Sequence, residues 1–87
     1  MRYFKFNWNE TRGDEYDHWG HSTWYLEIGE EDFPNRQIEL YDNGTILKYS
    51  RENPVDEFGE LGDQKFDLSE FGGVECAKLE FDDCWNQ

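Results

Sequence analysis

The sequence predicts an α+β domain, in which an antiparallel β-meander of four to five strands carries a short C-terminal helix packed on it. Three observations predict this fold. Apolar and polar residues alternate through residues 2–8 and 23–28, which is the period of a half-buried strand. An Asn-Gly pair at residues 43–44 separates two β-prone runs, which is a strong hairpin signal. Phe81 and Trp85 are four residues apart, so they would share one face of a helix.

The composition predicts a folded chain with an acidic shell. At 87 residues the length supports a single domain spanning residues 1–87. Aromatic residues make up 18% of the chain and all apolar residues 36%, so half of the apolar residues are aromatic. Because aromatic side chains each bury on the order of 150–250 Å², a few of them make a core. Disordered acidic chains are poor in aromatics, so we expect this chain to fold.

The first four predicted strands follow from alternation and turn signals. Residues 2–8 and 23–28 are strands joined by a loop over residues 9–22, which have no clear period. Residues 36–41 and 45–49 are strands joined by the Asn-Gly hairpin. An antiparallel sheet of this kind can bury one face and leave the other to solvent. The expected core residues are Phe4, Phe6, Trp8, Trp24, Leu26, Ile28, Ile38 and Leu40.

The second half of the chain is less regular. Residues 51–63 are rich in Glu, Asp, Gly and Pro and are predicted to be a loop. Residues 67–71 are typical of one helical turn, which the glycines at 72–73 would end. Residues 74–78 are predicted as a last short strand, and residues 79–85 as the C-terminal helix.

The net charge excludes some partners. The chain has 21 Asp and Glu against 8 Lys and Arg, for a formal net charge of −13. The basic residues are scattered, so phosphate backbones and anionic membrane surfaces should repel the chain. We therefore expect no direct binding to nucleic acid or membrane. The start of the chain lacks the apolar segment of a secretory signal, so the expected location is the cytoplasm.

Catalytic signatures are weak in this sequence. It contains neither a G-x-S-x-G elbow nor a P-loop, and carboxylates are so frequent that a pair at hydrolase spacing means little. Cys76 and Cys84 form no C-x-x-C motif, and we expect structural thiols; whether they ever pair stays open. We predict that the protein is not an enzyme and uses no cofactor.

The two histidines are the candidate metal ligands of this sequence. His18 and His21 lie beside Asp14, Glu15 and Asp17, and imidazoles with carboxylates can bind a divalent cation. The segment is predicted to be a loop, where a spacing of three residues does not place the two rings on one face. A solvated acidic loop is the preferred interpretation, so no metal ligands are assigned.

The distribution of acidic residues is the most informative functional feature. Residues 52–83 contain eleven carboxylates, opposed only by Lys65 and Lys78. Solubility alone would explain a moderate net charge, whereas a concentrated negative field also attracts a basic partner. Aromatic residues in the acidic loops would either anchor that partner or fold back over the sheet. The expected partner-binding residues are Glu52, Asp56, Glu57, Glu60 and Asp63, with Tyr16, Trp19 and Phe58 as anchors.

Several segments resemble a known group of proteins. Residues 1–8 (MRYFKFNW) resemble the opening of a family of small acidic bacterial domains of unassigned function. The resemblance continues through residues 36–44 (RQIELYDNG) and residues 79–81 (LEF) to Trp85, so it spans nearly the whole chain with gaps. Residues 9–22 differ from the family pattern. The family brings no catalytic motif, so the resemblance implies no site residues.

In size, charge and lack of a catalytic signature, the chain also resembles bacterial immunity proteins. These proteins neutralise toxin domains delivered between competing cells, as in contact-dependent growth inhibition and other polymorphic toxin systems. This resemblance implies an inhibitor that occludes a basic toxin domain, such as a nuclease, by steric and electrostatic means. The alternative is a nucleic-acid mimic that inhibits a DNA-binding enzyme, of the anti-restriction or anti-CRISPR type, because alternate carboxylates on a strand repeat at about 6.7 Å, close to the phosphate spacing.

Overall fold

The computed structural model describes the backbone of residues 1–87 and the side chains of these residues except Leu68 and Phe71. Over this part of the chain, five strands form one antiparallel sheet, and the predicted α+β meander with a C-terminal helix is confirmed. The strands are β1 (Arg2–Trp8), β2 (Ser22–Ile28), β3 (Pro34–Tyr41), β4 (Ile46–Ser50) and β5 (Val74–Glu75). The helices are α1 (Leu68–Phe71) and α2 (Lys78–Trp85), with 3-10 turns at Asp17–Trp19 and Glu30–Asp32.

Consecutive strands are neighbours in most of the sheet. The order is β4-β3-β2-β1-β5, so the first four strands form a meander and β5 returns to the outer edge of β1. The predicted β3–β4 hairpin is confirmed: the Tyr41 backbone N–H donates to the Thr45 carbonyl at 2.9 Å. Gly44, with a φ of 92°, takes the left-handed position that this tight loop requires. The last strand is shorter than expected, and α2 begins at residue 78.

One face of the sheet is covered by α2, and we call it the helix face. Alternation and register place Tyr3, Tyr25 and Ile38 together on this face, since residue 25 pairs with residue 38 across β2 and β3. Phe81 of α2 is completely buried against them, with its ring 5.3 Å from that of Tyr3. The predicted helix therefore packs through the residue that its spacing indicated.

The opposite face is also covered, and we call it the loop face. Phe4, Phe6, Leu26 and Ile28 form one buried cluster there, packed against Phe66. A second buried cluster contains Trp19, Tyr41, Leu47 and Tyr49, packed against Tyr16, Phe58 and Leu61. Residues 9–20 and 51–67 supply these covering side chains, and we call the two segments the loop layer.

Phe4, Phe6, Leu26, Ile28 and Ile38 are buried as expected, and Ile38 lies with the partly buried Leu40 on the helix face. Two other expectations about the core were wrong. The sheet does not leave one face to solvent, because the aromatic residues of the loop layer cover the face opposite α2. Trp8 is 42% exposed, because β5 pairs only with residues 4–5 and leaves the end of β1 at the margin of the sheet.

Within the described residues, no helix is long and apolar enough to cross a bilayer.

Candidate partner-binding surface and an adjoining cleft

The acidic loop over residues 51–63 is ordered by Asp56. Its carboxylate accepts hydrogen bonds from the Tyr49 hydroxyl at 2.9 Å and from the backbone N–H groups of Phe58 and Gly59 at 2.8 and 3.0 Å. Although desolvation opposes the shift, these donors hold the pKa of Asp56 below its ordinary value. Asp56, predicted as a partner contact, is exposed, and its carboxylate also holds the loop in its folded conformation.

A second set of contacts joins the same loop to β3. The Gln37 side chain donates to the Glu60 carbonyl at 3.2 Å and accepts from the Gly62 N–H at 3.0 Å. Within the loop, Leu61 N–H donates to the Pro54 carbonyl at 2.7 Å. These contacts fix the backbone while the acidic side chains point outward. All five predicted acidic residues, Glu52, Asp56, Glu57, Glu60 and Asp63, are exposed.

The three predicted aromatic anchors come together in the loop layer. The Tyr16 ring lies 5.1 Å from Phe58, and the Trp19 ring lies 5.3 Å from Phe58 and 5.2 Å from Tyr41. Trp19 is only 8% exposed, whereas Tyr16 and Phe58 are half-buried. The segment thus folds back over the sheet, which was the alternative to an anchoring role. In the free chain, Trp19 offers a partner almost no surface.

Arg12 ties the two segments of the loop layer together. Its guanidinium lies 5.3–5.8 Å from the ring centroids of Tyr16, Trp19 and Tyr41, close enough for cation–π attraction. It donates to the Tyr41 hydroxyl at 3.2 Å and to the Phe58 carbonyl in the other segment. Because these partners come from different parts of the chain, Arg12 is a structural cation and not part of an open basic patch.

Positive and negative charges are distributed unequally over the molecule. Among the described side chains, the loop layer contains one ion pair, Arg12–Asp14. The remaining ion pairs lie in the strands and α2, where they join Arg2 to Glu75, Lys5 to Glu80, Arg36 to Glu27 and Asp82, and Lys78 to Asp82. Residues 51–67 alone contain six carboxylates against Arg51 and Lys65. The loop layer is therefore the side of the protein with uncompensated negative charge.

The turn at Glu30–Asp32 extends this acidic surface. Glu30 and Glu31 line a groove of about 730 Å³ together with Pro54 and Leu61 of the loop layer. Glu31 and Asp32 have φ values of 61° and 66°, a left-handed conformation that non-glycine residues rarely adopt. The Phe66 N–H donates to the Asp32 carbonyl at 2.8 Å and holds the turn in place. The run of three acidic residues was visible in the sequence, but its position beside residues 54–61 depends on the fold.

An open cleft of about 390 Å³ adjoins the acidic loop where the loop layer meets β1 and β2. Trp8 and Trp24 form one wall, with ring centroids 6.1 Å apart. The cleft is also lined by Glu10, Arg12, Asp14, Glu39, Tyr41 and Phe58. Phe58 and Gly59 belong to both the acidic loop and the cleft, so the two features form one continuous surface.

Glu39 is the buried acid of this cleft. It is 4% exposed and accepts hydrogen bonds from the Tyr41 hydroxyl at 2.6 Å and from the Gln37 amide at 2.8 Å. Hydrogen bonds link Arg12 to it through the Tyr41 hydroxyl. Desolvation raises the pKa of Glu39 above its ordinary value, although the hydrogen bonds from Tyr41 and Gln37 oppose the shift. Neither Glu39 nor Trp8 was predicted as a site residue. In the sequence Glu39 is an ordinary acidic residue of a strand, and Trp8 was predicted to lie in the core.

The cysteines and histidines add no further centre within the described residues. No cluster of three or more metal-ligating side chains occurs there, and His18 and His21 are both exposed. Cys76 and Cys84 are free, half-buried thiols packed beside the core of the helix face. Desolvation raises the pKa of the Cys76 thiol, which lowers the population of the reactive thiolate.

Comparison of the chain with protein-family models, curated proteins and solved structures finds no match.

Proposed function

We propose that this chain is a non-enzymatic inhibitor, an immunity protein that binds one basic toxin domain in the cytoplasm and covers its positively charged active site. The main observation that supports this proposal is the concentration of exposed, uncompensated carboxylates in the loop layer. A nuclease domain is the favoured partner, because an active site that binds a phosphate backbone must itself be positive. Bound there, the acidic surface excludes the nucleic-acid substrate.

Charge segregation supports this function more strongly than total charge does. Charge that serves only solubility can be spread over any surface, and here the strands and α2 carry ion pairs while the loop layer carries unmatched acids. A one-sided field orients a basic partner as it approaches and raises its association rate. The contacts of Asp56 and Gln37 keep the acidic loop ordered before binding, which lowers the entropic cost of forming the complex.

The expected contact residues are a refined form of the sequence prediction. Glu52, Glu57, Glu60 and Asp63 are exposed and would provide steering and rim contacts, and Glu30 and Glu31 would extend them. Tyr16 and Phe58 are half-buried and would give apolar contact at the centre of the surface. Asp56 is also exposed and would add to the acidic rim, and both Asp56 and the buried Trp19 maintain the loop structure.

The test captures the partner with tagged protein from the native host lysate at moderate salt and identifies it by mass spectrometry. Wild type is compared with a loop variant, Glu57→Lys with Glu60→Lys, and with a matched control, Glu75→Lys with Asp83→Lys. Both variants change the net charge equally, and the control residues are exposed on β5 and α2. We expect wild type and control to retain a single basic protein and the loop variant to lose it.

Association kinetics of the purified complex give the second measurement. The loop variant should bind at least about tenfold more slowly at low salt, with a weaker salt dependence, because steering depends on the field at the acidic surface. Equal losses in the two variants would contradict a localised interface. Retention of many DNA-binding proteins, all released together by salt, would favour the nucleic-acid mimic. Against that alternative, the acidic residues lie in irregular loops and lack the regular spacing that mimicry along a strand would use.

A further inference from the structure

The cleft beside the acidic loop presents tryptophan surface to solvent. Trp8 is 42% exposed, and it lies against Trp24, whose indole N–H donates to the Ser22 hydroxyl at 2.8 Å. Trp24 is therefore held in position as a wall for Trp8. An exposed indole supported in this way offers a flat electron-rich face, which is the best aromatic surface for binding a cation.

The floor of the same cleft contains a carboxylate without a cationic partner. Buried charges in proteins are normally paired, because removing a carboxylate from water costs several kcal/mol. Among the described side chains no Lys or Arg forms an ion pair with Glu39, whose hydrogen bonds come from Tyr41 and Gln37. A carboxylate has about four lone-pair positions, so these two donors leave capacity for another.

The charge of the lining favours a cationic ligand. Glu10, Asp14 and Glu39 are acidic, and Arg12 is the one basic residue among the side chains that line this cleft. The Arg12 guanidinium is already engaged by Asp14, by the Tyr41 hydroxyl and by the Phe58 carbonyl. It is therefore part of the wall, and Glu10 and Glu39 line the cleft without an ion pair among the described side chains.

We propose that the cleft is a socket for an arginine side chain of the basic partner, with the guanidinium stacked on Trp8 and paired with Glu39. This inference rests on the proposed function, and it identifies the part of the surface that anchors the partner. Arginine fits better than lysine, because a planar guanidinium both stacks on an indole and donates two parallel hydrogen bonds to a carboxylate. Glu10 and Asp14, which also line the cleft, would attract the arginine side chain as it approaches.

The test titrates Nα-acetyl-arginine amide into the whole protein and follows the four tryptophan indole N–H signals by NMR. Nα-acetyl-citrulline amide, which is nearly isosteric but neutral, is the matched ligand control. We expect saturable shifts of the Trp8 and Trp24 signals at millimolar arginine amide and none from citrulline amide. Trp85 is the internal reference, since it packs against the helix face.

Three variants assign the binding energy. Trp8→Ala and Glu39→Gln should each weaken binding of the arginine probe about fivefold or more, as loss of one cation–π contact or one charge pair implies. Asp83→Asn removes one charge on α2 and should leave the affinity within about twofold. Amide spectra of each variant establish that the fold is intact. Equal shifts from citrulline amide, or unchanged binding in Glu39→Gln, would overturn the socket.

The socket and the proposed function fail separately. If the tagged protein captures a basic partner and Trp8→Ala captures it equally well, the surface binds that partner but the socket is wrong. If the arginine probe binds as expected and no basic partner is captured, the cleft is a cation site and the immunity function is wrong.

Discussion

Glu27 on the helix face and Glu39 on the loop face are equally buried, each 4% exposed, but their carboxyl groups are shifted in opposite directions. Hydrogen bonds from Arg36, aided by Asn35 and Tyr3, lower the pKa of Glu27 to about 2, against the opposing effect of desolvation. Desolvation raises the pKa of Glu39. Low exposure alone therefore does not fix the direction of the pKa shift: the charged donor Arg36 outweighs desolvation at Glu27, whereas the neutral donors of Glu39 do not.

The helix face compensates its buried charge completely. Arg36 donates to both oxygens of Glu27, at 2.9 and 2.7 Å, and Asn35 and Tyr3 add bonds at 2.7 and 3.0 Å. The same guanidinium lies 4.8 Å from the Phe81 ring and 4.9 Å from the Trp85 ring. The network therefore joins β2 and β3 to α2, and it has no need of an external partner.

On the loop face, the buried carboxyl group of Glu39 has no ion-pair partner among the described side chains. Glu39 has neutral donors, the nearest guanidinium is separated from it by Tyr41, and the cleft beside it reaches solvent. The helix face pairs its buried carboxylate with an arginine, whereas the loop face retains the electrostatic cost of burying Glu39, which the proposed cationic ligand would relieve. Substitutions at the two carboxyl groups should therefore have different effects.

The largest expected effect is that of Glu27→Gln. A pKa lowered from 4.5 to about 2 corresponds to roughly 3 kcal/mol, which the variant should lose at neutral pH. Loss of Glu27 also leaves Arg36 with Asp82 of α2 as its one remaining ion-pair partner among the described side chains. Because the folded-state pKa is depressed, this stabilisation is present above pH 4.5 and disappears as the pH falls toward 2. Urea unfolding at pH 7 and pH 3 measures both values.

An exposed pair provides the control for that prediction. Arg2 and Glu75 form an ion pair in which both side chains are more than half exposed, so Glu75→Gln should change the free energy of unfolding by less than about 1 kcal/mol. If the two substitutions cost the same, the network around Glu27 contributes no more than a surface pair, and the contrast between the two faces is lost.

An intermediate effect is expected for Arg12→Ala. Arg12 holds the two segments of the loop layer together, and its loss also removes the nearest positive charge from Glu39. We expect a loss of about 2 kcal/mol, as for removal of hydrogen bonds from a charged group. Amide hydrogen exchange should rise at Trp19 and Gly59 while β2 stays protected. Arg51→Ala, at an exposed position, should stay within about 0.5 kcal/mol; uniform exchange throughout the sheet would argue against a local role for Arg12.

The sequence predicted the sheet and α2 because their signals are local. Alternation in residues 2–8, the turn at residues 43–44 and the spacing of Phe81 and Trp85 each lie within a few neighbours. The position of Trp8 depends instead on how far β5 extends along β1, which only the tertiary structure determines. Its assignment to the core was therefore wrong, although its place in the strand was right.

The sequence left open whether the loop aromatics cover the sheet or anchor a partner, for a similar reason. Tyr16, Trp19 and Phe58 lie in segments without periodicity, so the sequence could not show that their rings meet Tyr41 on the sheet. The cleft could not be predicted either, because in the sequence Glu39 looks like any acidic residue of an alternating strand. Its burial becomes apparent only when two loops that are distant in sequence close over β3.

The smallest expected effect on stability, and the sharpest contrast with Glu27→Gln, is that of Glu39→Gln. Because the folded-state pKa is raised above 4.5, the fold favours the protonated form, and wild-type stability should fall as the pH rises from 4.5 through the elevated value. The amide of glutamine carries no charge and still accepts a hydrogen bond from Tyr41. At pH 7 the variant should be as stable as wild type or up to about 1 kcal/mol more stable, with this part of the pH dependence removed.

Unfolding of wild type and variant across pH 4–8 isolates the contribution of Glu39, because the other groups titrate in both proteins. The charged neighbours that act on it are Arg12, which lowers the pKa, and Asp56, which raises it. Both act less strongly on the Glu39 pKa than desolvation, which sets the direction of the shift. If Glu39→Gln is as destabilising as Glu27→Gln, then Arg12 compensates Glu39 through Tyr41 as fully as Arg36 compensates Glu27. The cleft would then contain no unpaired charge for a ligand to neutralise, and the stability cost retained on the loop face would have to be sought among the exposed carboxylates.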